Sequence, residues 1–210
     1  MKDYSRALTL IGGYCLLVAG LVSAAALCFH PDEFVPGSVL LASWTPVHLS
    51  LLFAFAISVF GVIGLFSALQ EKAGTLGIIA YTLGILGCVG SAAVVVIEVF
   101  VLPVVAMQSA QQVPLMDMMG PATPLSLLGK FFMSSIMVWI LAWVLIGVVL
   151  IRNNLFPRYL GIIVISASIC IAVPTHFAGG LSALLHIAFS ILFGVSWMLL
   201  GNALIKMPAD

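Results

Sequence analysis

The sequence predicts an all-α polytopic membrane protein, a single bundle of six transmembrane helices with both termini cytoplasmic. Three observations carry that prediction. Of the 210 residues, 63% are hydrophobic and 7% are charged, and the mean hydropathy is +1.30, a balance foreign to soluble domains of this size. The apolar residues fall into six runs, most of them near the ~20 residues that cross a hydrocarbon core about 30 Å thick. Lys2, Arg6, Lys72, Arg152, Arg158 and Lys206 all fall on one side if the six runs alternate, and that side is cytoplasmic by the positive-inside rule. The expected location is the inner (plasma) membrane, with the lipid bilayer as the main contact.

Seven basic residues balance seven acidic ones. There is accordingly no basic surface to attract nucleic acid and no polybasic tail to hold anionic lipid. Nucleic acid is excluded as a partner, whereas homo- or hetero-oligomers stay open.

The six segments are expected at about 6–29, 47–69, 75–103, 125–151, 159–174 and 181–205. The first opens MKDYSR and ends VSAAALC, which imitates a secretory signal with a small-residue cleavage site over residues 1–26. Its apolar region is longer than a signal core, so it is expected to remain as a helix. The second follows a connection rich in proline, His30 to Pro46, with Trp44 suited to the membrane interface. The third follows the short turn QEKAG, which makes it an antiparallel neighbour of the second. Gly77, Gly84, Gly87, Cys88, Gly90 and Ser91 form a stripe of small residues along it. That stripe predicts a central third helix, with Gly12, Gly13 and Gly20 on the first helix and Ala54, Ser58 and Gly61 on the second as matching surfaces. The fourth helix follows a proline-rich stretch, Met107 to Pro124, and is joined to the fifth by RNNLFPR. The fifth is short and closed by Pro174; the sixth ends at Lys206. Cys15, Cys28, Cys88 and Cys170 lack the C-x-x-C spacing of a zinc site or redox dithiol and read as small packing residues. A Cys28–Cys170 disulfide is not decided by spacing.

The candidate site lies in the outer third of the membrane. Glu98 is the one acidic residue in the third segment, and a carboxylate at that depth costs several kcal/mol unless it meets a partner or water. Lys130 lies about five residues inside the outer end of the fourth segment and His186 about five inside that of the sixth, while His48 stands at the mouth of the second. These four residues are expected to line an outward-facing polar pocket that binds a small solute or ion, with coupling to transport as an extension of that reading. The almost purely apolar cytoplasmic halves of the segments favour binding over transport. A competing reading is a non-catalytic membrane subunit or scaffold, in which Glu98 and Lys130 form an ion pair that only orders two helices.

Two cofactor readings compete as well. His48 and His186 resemble the paired axial ligands of a haem b held between membrane helices. His30 and His176, with Met107, Met116, Met118 and Met119, offer imidazole and thioether ligands for copper. No H-E-x-x-H or G-x-S-x-G motif is present, so the sequence does not point to an enzyme. The pattern W-T-P-V-H at 44–48, with I-E-V-F-V-L-P at 97–103, resembles small six-helix bacterial inner-membrane proteins of unknown function. That resemblance implies a six-helix fold and no particular activity.

Overall fold

In the computed structural model, residues 2–108, 114–173 and 181–208 are described. Among them every regular element is helical: α1 (Lys2–Cys28), a 3-10 turn (Ser38–Leu40), α2 (Trp44–Phe100), α3 (Leu102–Gln108), α4 (Leu115–Met118), α5 (Ser126–Asn153), α6 (Arg158–Ile171) and α7 (Ser182–Ile205). Four stretches are long and apolar enough to cross a membrane: Tyr4–Cys28, Trp44–Gln108, Ser126–Asn153 and Ser182–Ile205. The shorter α6 is apolar too.

The sequence reading separates residues 47–69 from 75–103, and the structure has helix over both, 57 residues from Trp44 to Phe100, interrupted between them at Gly74. A straight helix of that length would be about 85 Å long, nearly three times a hydrocarbon core. Instead it reverses at Gly74, where φ is 58° and ψ −163°. That combination belongs almost solely to glycine. Across the reversal the two arms run antiparallel: Phe66 meets Tyr81 edge-on at 5.5 Å between ring centres, and Ser58 Oγ–H donates to Cys88 Sγ at 3.2 Å.

The arms and the other long helices form a ring. α1 packs on the first arm of α2 and on α7; the second arm packs on α5, α5 on α6, and α6 on α7. Glycine makes these contacts close. A Cβ on Gly12 would stand 2.6 Å from Gly64 Cα, one on Gly20 2.5 Å from the Gly194 carbonyl oxygen, and one on Gly87 2.6 Å from Trp139 Cα. Such approaches suit helices in lipid, where packing rather than water exclusion drives association. The expectation of a central third helix is corrected here: the second arm of α2 is one member of the ring, flanked by the first arm and α5. Aromatic side chains fill the middle, with Trp139 against Phe55, Phe193 and Trp197, and Trp143 against Trp197. All four cysteines are free thiols.

Two contacts mark the end of the bundle that carries Arg6 and Lys206. The Arg6 guanidinium donates to the Ile205 carbonyl, and the Ser5 and Ser67 hydroxyls meet at 2.9 Å. The connection from Phe29 to Ser43 lies at the opposite end, against α3 and α4. There Val39, Trp44, Val94, Leu102, Leu115, Met119 and Phe132 form a separate apolar cluster.

Candidate functional site

At this second end four ionisable residues converge: His30 and Glu33 from the connection, His48 from the first arm of α2, and Glu98 from the second. Local sequence explains how each is aimed. Trp44 opens α2, and Pro46 sits in the first turn, where its missing N–H breaks no helical hydrogen bond. The Trp44 indole N–H donates to the Glu98 backbone carbonyl at 2.8 Å and so fastens the start of one arm to the end of the other. One turn on, His48 stacks on Trp44 with ring centres 4.0 Å apart.

The imidazole tautomers follow from backbone partners. His48 Nδ1 lies 2.7 Å from the Trp44 carbonyl oxygen, and a carbonyl can only accept, so Nδ1 carries the proton. His48 Nε2 is thereby left with a lone pair. It is buried, has no hydrogen-bond partner, and lies 3.7 Å from Glu98 Oε2. His30 repeats the arrangement: Nδ1–H donates to the Pro31 carbonyl at 2.8 Å, and Nε2 lies 3.7 Å from Glu33 Oε1. The two imidazoles are neighbours, with ring centres 4.7 Å apart.

The pocket is dry. His48 is 0% and Glu98 5% exposed, and the connection is held down where the Leu115 N–H donates to the Glu33 carbonyl at 3.0 Å. Burial pushes the His30 imidazole down to about 3; the nearby His48 and, less strongly, His186 push the same way, against the Pro31 hydrogen bond. Burial also pushes the Glu33 carboxyl up to about 7, reinforced by the adjacent Asp32 charge. Neutral imidazole lone pairs therefore face carboxylate oxygens, an arrangement that repels unless a proton or cation stands between them.

Of the four residues expected to form the pocket, the structure brings Glu98 and His48 together and sets His186 close by. His186 Nε2–H donates to the Leu27 carbonyl at 2.8 Å, which ties α7 to α1 beside His30. Lys130 is not part of the group. It is exposed on α5 and lines a shallow cavity with Met119, Pro121, Ser126, Gly129 and Met133. No Glu98–Lys130 ion pair forms, and Glu98 faces His48 instead.

The haem b reading needs two free imidazole nitrogens facing across a porphyrin. His186 Nε2 is committed to Leu27, and His48 Nε2 points to Glu98, so the two do not make such a pair. For copper, Met118 and Met119 are buried, Met119 as packing in the apolar cluster, while His30 Nε2 turns to Glu33. Met107 is exposed. His176 and the side chain of Met116 lie outside the described residues.

Glu33 is the residue that sequence reasoning missed. Its signal was present in His30-Pro31-Asp32-Glu33, a histidine and a carboxylate three positions apart just after an apolar helix. Comparison with known proteins finds no matching family model, curated sequence or solved structure.

Proposed function

We propose that the chain is a multi-pass protein of the inner membrane whose outward-facing polar site binds a small cation. In this reading α1, the two arms of α2, α5, α6 and α7 make six crossings, with both termini cytoplasmic and the His48 end outside. The Lys/Arg asymmetry supports that orientation. The binding reading rests on one observation above the others: His48 Nε2, fully buried and without a hydrogen-bond partner, faces the Glu98 carboxylate at 3.7 Å. Where no proton bridges them, a buried acceptor aimed at another acceptor is costly. A cation between them turns that cost into binding energy.

The aromatic layer of Trp139, Trp143, Phe193 and Trp197 fills the middle of the ring, which supports binding from one face over passage through the bundle. The scaffold reading loses its motive with the Glu98–Lys130 pair. The test is thermal unfolding of the detergent-solubilised protein, stripped with chelator, against a panel of mono- and divalent cations. At least one cation raises the midpoint in wild type and fails to do so in Glu98→Gln/His48→Gln. A panel without effect refutes the reading. Alkylation of single cysteines placed at Lys72 and at Asp32 in intact and opened cells tests the orientation: Asp32→Cys reacts from outside and Lys72→Cys does not.

A further inference from the structure

We infer that His30 Nε2, Glu33 and His48 Nε2 form a three-ligand site for a first-row divalent metal ion of the zinc class, with a fourth position left for a water molecule beside Glu98. This assignment rests on the cation reading above and deepens it by naming the ion and its ligands. The ligand atoms of His30, Glu33 and His48 all lie within 4.8 Å of one another. For a tetrahedral ion with bonds of about 2.0–2.1 Å, neighbouring donors stand about 3.4 Å apart. The His30–Glu33 separation of 3.7 Å already approaches that value.

The atoms around the ligands argue for the same use. A metal-binding histidine usually donates its other ring N–H to a carbonyl or carboxylate, which sets the tautomer and the ring direction. His30 does so to Pro31 and His48 to Trp44, each through Nδ1. Together these hydrogen bonds leave a lone pair on each Nε2, in rings whose centres are 4.7 Å apart.

Donor type selects the ion. Two imidazoles and a carboxylate suit zinc and its first-row neighbours, whereas calcium and magnesium prefer oxygen throughout. Charge agrees. The Glu33 and Glu98 carboxylates are near enough to repel, and a divalent ion among them balances those two charges. Glu98 reaches His48 Nε2 at 3.7 Å but stands outside the compact set of three. Its place is next to the open position, where it accepts a hydrogen bond from metal-bound water.

The experiment uses the full chain in detergent, stripped with chelator and titrated with Zn(II) by calorimetry and with Co(II) by visible absorption. Wild type binds one equivalent, and the Co(II) form has the strong visible bands of a four-coordinate ion. Added azide changes those bands by entering the open position. Glu33→Gln, nearly isosteric, weakens Zn(II) binding by more than about 100-fold, beyond the effect usual for an outer-shell partner; His30→Ala, in the connection, does the same should Glu33→Gln fold poorly. Glu98→Gln keeps one equivalent of Zn(II) and shows the azide response at lower azide concentration than wild type, because a neutral amide no longer repels the anion beside the open position. Tighter binding of Ca(II), Mg(II) or a monovalent ion than of Zn(II) overturns the metal assignment and leaves the cation reading standing. Loss of Zn(II) in Glu98→Gln overturns the three-ligand set. Failure of every ion to bind overturns both readings.

Discussion

Gly20→Ala tests the seam between α1 and α7, the contact that closes the ring. An alanine Cβ would stand 2.5 Å from the Gly194 carbonyl oxygen, 2.9 Å from the Met198 amide nitrogen and 3.0 Å from Met198 Cγ. The first two are backbone atoms and cannot swing aside. Restoring an ordinary carbon–oxygen contact of about 3.4 Å requires α1 and α7 to part by about 0.9 Å, a gap that forfeits a quarter to a half of each dispersion well along the seam. Overpacking of this kind costs about 1–3 kcal/mol, and backbone against backbone belongs at the upper end. Against that, replacing glycine by alanine inside a helix gains about 1 kcal/mol. The clash wins, and the net loss is about 2 kcal/mol. Thermal unfolding in detergent, followed by helical circular dichroism, measures it, with Leu21→Ala as the control because Leu21 is 55% exposed on the same helix. A Gly20→Ala protein as stable as wild type refutes the close-contact account of the ring.

The other predictions concern the reversal and the site. Gly74→Ala has open space for its Cβ but forces a side chain into the φ 58°, ψ −163° conformation; it destabilises by about 1–3 kcal/mol. Gly74→Asn does not recover the loss in the same melt, since this is not the left-handed helical region that asparagine tolerates. Zinc affinity strengthens as pH rises from 5 to 7, because Glu33, pushed up to about 7, must release its proton to bind, while His30, near 3, is already neutral across that range. For one competing proton the gain is about tenfold per pH unit. Asp32, His48, Glu98 and His186 surround these groups, and calorimetric dissociation constants that stay flat or weaken with rising pH contradict the assignment. Lys130→Met leaves the dissociation constant for Zn(II) within about twofold of wild type, because Lys130 is exposed and takes no part in the ion pairs of the cluster; a larger change in the same titration returns Lys130 to the site.

Position along each helix was legible in the sequence, and direction around each helix was not. The rise of about 1.5 Å per residue places Glu98, His48, His186 and Lys130 near one level. Which way each points depends on helix rotation and neighbour order, and these are set by contacts such as Gly12 on Gly64 and Gly87 on Trp139. Glu98 therefore meets His48 across the α2 hairpin, while Lys130 turns outward on α5. Glu33 was hidden for a related reason. It lies in a proline-rich connection without helical period, and only the packing of that connection under Leu115 and Trp44 carries its carboxylate beside His30 and His48.

By itself the sequence determined a helical chain with segments long and apolar enough to cross a membrane, the positions of those segments, the turn at QEKAG and the end of the bundle where ionisable residues gather. These properties are local: apolar length, glycine's backbone freedom and the cost of charge in lipid act residue by residue. The tertiary structure alone decided the ring order, the partner of Glu98 and the entry of Glu33, because each depends on side chains from segments far apart in the chain meeting at one point.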